Sequence, residues 1–104
     1  MNLTVADRLQ VPSFFQEKAG IDTLLLQRGI REKLSLSDEE KKQINFRVEG
    51  NRFLWDNTEA PEVDVELTEA ELEYLRERVR ELSKQGSLIE EQLDLVLKLR
   101  NTES

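Results

Sequence analysis

Between Ile44 and Trp55 the chain alternates apolar and polar residues on both sides of Gly50-Asn51. Alternation is the pattern of a half-buried strand, and a two-residue Gly-Asn loop suits a primed hairpin turn. Such a loop sets the register: Glu49 opposite Arg52, Val48 opposite Phe53, Arg47 opposite Leu54, Phe46 opposite Trp55. Side chains alternate by face. Ile44, Phe46, Val48, Phe53 and Trp55 therefore share one side, and Asn45, Arg47, Glu49, Arg52 and Leu54 the other. The apolar side is expected to lie in the core beneath helices, where Trp55→Ala would cost ~3–5 kcal/mol. Leu54 falls on the polar side beside Arg47, where it is covered by a helix, singly exposed or a dimer contact.

The flanking segments read mostly as helix. Leu3, Ala6 and Leu9 recur at helical spacing behind a Thr4-x-x-Asp7 start signal, with Pro12 as the stop. This predicts a helix over about 3–11, with strand as the rival. Phe14 and Phe15 follow as candidate core plugs. Asp22 can cap a helix over 23–34, whose stripe is Leu26, Ile30 and Leu34, widened by Leu25. Gly29 inside it costs about 1 kcal/mol against alanine. Either a close helix contact or simple tolerance accounts for it. Ser37-x-x-Glu40 is a capping box that opens a short helix over 38–43.

Beyond the hairpin, Val63-Asp64-Val65-Glu66-Leu67 alternates as a third strand. Thr68-x-x-Glu71 caps the longest helix, 69–84, with Leu72, Leu75, Val79 and Leu82 on one face and Gly86 as a left-handed stop. Ser87-x-x-Glu90 is a further box, opening a helix over 88–100. Its main apolar face is Ile89, Leu93, Val96 and Leu97, and Leu88, Leu95 and Leu99 widen it. Residues 101–104 form a frayed tail. The expected fold is a two-layer α+β domain. A small antiparallel three-stranded sheet (hairpin 44–49/52–56 plus strand 63–67) packs against N- and C-terminal helices.

A chain of 104 residues is one domain and can bury a core without staples. It has no cysteine, so disulfides and thiolate metal sites are excluded, and a reducing, cytoplasmic setting is expected. It also has no histidine, the commonest general base and metal ligand. No apolar run approaches the ~20 residues of a membrane span. The first residues lack the basic-then-apolar pattern of a signal peptide. The net charge of −7 argues against affinity for nucleic acid or anionic membranes.

Charge is concentrated. From Asp56 to Glu73 there are eight acids and no base. The plain reading is a solvated strand face (Asp64, Glu66), a polar loop (Asp56, Glu59, Glu62) and a helix first turn that favours acids (Glu69, Glu71). The functional reading is a docking surface for a basic protein, as in an acidic nucleic-acid mimic, through Asp56, Glu59, Glu62, Asp64 and Glu66. A calcium loop fails, since Pro61 stands where glycine is required and Leu67 where the last glutamate would be. Arginines on the second and longest helices have acids interleaved and no stacking aromatic beside them, so they read as solvated faces.

No serine sits in a Gly-x-Ser-x-Gly setting, no phosphate-cradling glycine loop occurs, and paired carboxylates are not distinctive. This inventory points away from an enzyme, a metal or a cofactor. The wide last helix is the best oligomer signal, with Leu88, Leu95 and Leu99, together with Leu54, as candidate contacts of a homo-oligomer. The expectation is a non-catalytic interaction or assembly protein whose partner the sequence does not name. The acidic inhibitor is the alternative.

Leu3-Thr4-Val5-Ala6-Asp7-Arg8-Leu9, Arg28 to Glu40, and Val48-Glu49-Gly50-Asn51 with Trp55 resemble a group of small phage and prophage proteins. The resemblance implies a phage-encoded or mobile-element origin. It brings no assigned activity and no site residues.

Overall fold

Capping chemistry places most of the helices. In a computed structural model, which describes residues 1–56 and 62–102, Thr4, Ser37 and Thr68 each form a reciprocal capping box with the residue three positions on. They open α1 (Val5–Gln10), α3 (Asp38–Gln43) and α4 (Glu69–Lys84). α2 (Ile21–Leu34) starts two residues earlier than expected, with Gly20 and not Asp22 at its N-cap. Asp22 sits instead in the first turn, where the macrodipole favours it. Pro12 does not stop the first helix. It lies in a 3-10 turn (Val11–Phe14) that continues α1, at an early position where its missing N–H costs nothing.

α4 ends as expected. Gly86 is left-handed (φ +67°), and its N–H and that of Ser87 turn back to the Ser83 and Leu82 carbonyls. Ser87 is thereby used to finish α4, and the box expected at Ser87-x-x-Glu90 does not start the last helix. The chain runs irregularly to Ile89, whose N–H donates to Gln92 Oε1 (2.9 Å). A 3-10 turn (Glu90–Gln92) then leads into α5 (Leu93–Asn101).

The sheet departs from expectation. Among the described residues there are two separate two-stranded antiparallel sheets, not one of three strands. β1 (Asn2–Leu3) pairs with β4 (Val63–Asp64), and β2 (Arg47–Glu49) with β3 (Arg52–Leu54). The N-terminal residues, expected to be helical from Leu3, supply the partner for β4. The hairpin register is the expected one: Glu49↔Arg52, Val48↔Phe53, Arg47↔Leu54. The hairpin is shorter than 44–49/52–56 because Asn45 is left-handed (φ 51°). The Asn45 and Phe46 N–H groups donate back to the Lys42 and Lys41 carbonyls, a Schellman ending for α3 that uses asparagine where glycine is commoner.

The core belongs to the helices and the β1–β4 ribbon. Leu3, Val11, Phe14, Ile30, Leu34, Val65, Leu75, Val79, Leu95, Val96 and Leu99 form its buried cluster. Phe14 is fully buried, as a core plug should be. Leu26, Ile30 and Leu34 do form the inward stripe of α2, but Leu25 faces water. The hairpin contributes nothing to this cluster. Val48 and Phe53 are exposed, Phe46 and Trp55 half-buried, and Ile44 alone of that apolar face is buried. The burial expected for it is corrected. A two-stranded ribbon offers too little surface to cap a core that helices already close, so it projects. The Cα radius of gyration, 14.1 Å, is a little above the roughly 13 Å typical of this length.

A Cβ at Gly29 would lie 3.4 Å from Glu71 Oε2, at ordinary contact distance, so α4's capping glutamate lies against α2 there, yet an alanine would fit and the contact does not demand glycine.

Candidate functional site

The projecting hairpin has a depression on each side. One, of 460 Å³, lies between the hairpin and the α1–α2 corner. Leu9, Pro12, Leu34, Leu36, Phe46, Val48 and Phe53 line it, with Arg8, Arg31 and Lys41 at its edges and no carboxylate. Phe46 and Phe53 stack with ring centroids 5.7 Å apart. Lys41 Nζ lies 6.0 Å from the Phe46 ring centre, and Arg31 lies over Phe15 at 5.3 Å. Neither cation has a carboxylate partner among the described residues. The second depression is a wider, mixed cleft of 950 Å³ between the hairpin, α1 and α5. Phe53, Trp55, Leu9 and Leu97 line it together with Asp7, Glu62, Asp94 and Lys98. Phe53 borders both.

The buried charges beneath this surface are committed to structure. Arg8 is 5% exposed. Its Nε donates to the Leu34 carbonyl (3.1 Å) and Nη2 to that of Ser35 (2.8 Å). Nη1 and Nη2 also grip Glu40 (2.6 and 3.2 Å). A cation at the C-terminus of α2 is favourable, and the fork matches a carboxylate. The Arg8 hydrogen bonds, against a smaller opposing effect of burial, hold the Glu40 carboxyl down at about 2.

Glu71, buried on α4, accepts from the Thr68 N–H (2.8 Å) and pairs with Lys33 (2.5 Å). Burial pushes its pKa up, but Lys33 and Thr68 outweigh it and the net direction is down. Lys98 pairs with Asp7 (2.5 Å) and Glu62 (3.3 Å). Burial alone would lower its pKa, and the two carboxylates raise it. Burial raises that of Tyr74, whose hydroxyl donates to Gln27 Oε1. Each of these shifted groups sits in a bond that joins one element to another. Structural ion pairs perturb pKa values as readily as active sites do.

The expected acidic surface is dispersed. Asp56 lies at the hairpin neck, bonded to Asn45 (3.3 Å) and 3.6 Å from Arg47. Glu62 pairs with Lys98, and Asp64 with the Met1 amino group (2.8 Å). Glu69 and Glu73 both hold Arg76, and Glu71 holds Lys33. Glu66 alone of this group is exposed without a cationic partner, and Glu59 lies outside the described residues. The acids thus serve different elements and form no shared face.

The expected oligomer contacts are also rearranged. Leu95 and Leu99 are in the core, and Leu88 packs against it half-buried. Leu95 and Leu99 cannot meet a partner without unpacking the monomer, whereas Leu88 keeps part of its surface open. Leu54 is half-buried. The open apolar ridge of the C-terminal segment is Ile89, Leu93 and Leu97, expected from sequence to face inward. Two stripes on one segment look alike in sequence. The signal that separates them is the pair of acids, Glu90 and Asp94, alongside the exposed one. Ile21 and Leu24, which periodicity did not single out, and Leu25, expected to widen the inward stripe, are exposed on α2.

No group of three or more potential metal ligands occurs among the described residues, and no helix there is long and apolar enough to cross a membrane. No family model, no curated protein and no solved structure matches this chain.

Proposed function

We propose that this protein acts by binding another polypeptide, without chemistry of its own, and that the hairpin is its contact element. One observation carries the reading: Val48 and Phe53, cross-strand neighbours on the hairpin, are 58% and 51% exposed at the mouth of an apolar groove. Burying such a side chain is worth roughly 1.5–3 kcal/mol. An aromatic and a β-branched residue side by side in water form the centre of an interface, where large anchors in a desolvated pocket carry most of the energy. The acidic-mimic alternative has less support, because six of the seven described acids in its block hold internal cations.

The test is a Val48→Ser/Phe53→Ser double variant. Its loss of stability is expected to stay at about 1–2 kcal/mol, since what is lost is the Phe46–Phe53 stack and the Val48–Phe53 cross-strand pair and not core packing. Its binding to any polypeptide retained by the wild-type chain is expected to fall at least tenfold. A variant that folds, as read by circular dichroism, and binds as before removes the hairpin from the interface.

A further inference from the structure

The hairpin groove and the Ile89–Leu93–Leu97 ridge are complementary, and we propose that the polypeptide which the groove receives is a second copy of this chain, docking by that ridge. This rests on the reading of the hairpin as a contact element and names its partner. The groove is apolar with Arg31 and Lys41 at its rim and no carboxylate, in a chain that carries 22 acids against 15 bases. The ridge is apolar at spacings of four residues, with Glu90 and Asp94 beside it. None of Arg31, Lys41, Glu90 and Asp94 has an ion-pair partner among the described residues. Lys98 is held by Asp7 and Glu62, and Arg100, seven residues on from Leu93, puts one exposed cation at the C-terminal end of the ridge, away from Glu90 and Asp94. Ridge against groove therefore pairs apolar with apolar and two free acids with two free bases.

The two surfaces are close on one molecule but do not meet there. Leu97 reaches the wide cleft on the far side of Phe53, while the groove opens on the near side. Hairpin and ridge therefore form one band of surface that a second molecule can engage at both places. A standard interface covers roughly 800 Å² of each partner, about a tenth of the 7333 Å² exposed here. Leu93 and Leu97 lie one turn apart on α5, with Ile89 just ahead of it; a helix laid into a groove by such anchors is a common recognition mode, and opposite charges at the rim set its register and its on-rate.

Sedimentation of the full chain over a concentration series provides the test. The wild-type chain is expected to self-associate. Reversing the rim (Arg31→Glu/Lys41→Glu) and reversing the ridge flank (Glu90→Lys/Asp94→Lys) should each weaken association at least tenfold. Combining all four changes should restore it, which a loss of folding could not do. Leu93→Asp, on an exposed ridge, should give a folded monomer by circular dichroism. A wild-type chain that stays monomeric at its highest soluble concentration overturns the proposal, as does association that survives both reversals. If the chain is monomeric yet Val48→Ser/Phe53→Ser abolishes capture of a different protein, the groove has a foreign partner and only this proposal falls. If neither happens, the contact role of the hairpin falls as well.

Discussion

Arg8 is the charged residue that ties together the most elements of this fold. Its guanidinium spans three elements: it leaves α1, meets the last carbonyls of α2, and grips the glutamate that completes the capping box of α3. Arg8→Met keeps much of the apolar stem and deletes the fork. Two carbonyls lose their donors, and Glu40 loses its counter-ion. Breaking a buried pair from one side costs ~3–5 kcal/mol, and Glu40 is 34% exposed, which favours about 3 kcal/mol. For a chain of this length that lowers Tm by on the order of 15 °C. Arg8→Lys keeps the charge without the fork and should recover less than half of the loss.

The same pair should show in acid. Glu40 titrates at about 2 in the folded chain against an ordinary 4.5. A folded pKa below the unfolded one means that the pair's contribution is complete above the ordinary value and disappears as pH falls through the folded one. At 1.36 kcal/mol per unit the shift corresponds to about 3 kcal/mol, which solvent screening of a partly exposed carboxylate reduces to about 1–2 kcal/mol. Glu40→Gln keeps the capping box, since glutamine serves at that position, and removes only the charge. Urea unfolding followed by circular dichroism from pH 7 to pH 2 reads the difference. The wild-type advantage over Glu40→Gln should vanish between pH 4.5 and 2. A difference that does not change over that window, or an Arg8→Met variant within about 1 kcal/mol of wild type, would refute the clamp.

Two further outcomes follow from packing. Gly29→Ala should be neutral or stabilising by up to about 1 kcal/mol, because helix propensity improves and the new methyl just touches Glu71. Gly29→Val should instead destabilise by about 1–3 kcal/mol by pushing that carboxylate from Lys33, and equal stability of the two variants in thermal melts would count against the contact. Phe14→Ala should cost about 3–5 kcal/mol, whereas half-buried Trp55→Ala should cost about 2 kcal/mol, below the full-burial value expected from sequence. A reversed order in chemical denaturation would place the core wrongly.

Local chemistry was legible where it acts over three or four residues. The boxes at Ser37 and Thr68, the stop at Gly86 and the pairing of Val48 with Phe53 depend on bonds between near neighbours, so residue types and spacing determine them. The same logic fails once two elements compete for one residue. Ser87 has the right spacing for a cap, but the end of α4 takes its N–H first. Asn45 reads as strand, yet it turns left-handed to close α3.

What only the tertiary structure decided is which apolar surfaces face inward. Periodicity marks a stripe but carries no direction. Leu95 and Leu99 lie in the core and Leu93 and Leu97 in water because α4 approaches α5 from one side. The hairpin's aromatic face stayed outside because helices and the β1–β4 ribbon had already closed the interior. Arg8 shows the same limit for charge. Its burial depends on carbonyls and a carboxylate 26 to 32 residues away, brought together only by folding. Sequence determined the capped helix starts, the stop at Gly86 and the hairpin register, and the free energy of closing one shared core determined which faces remained available to bind.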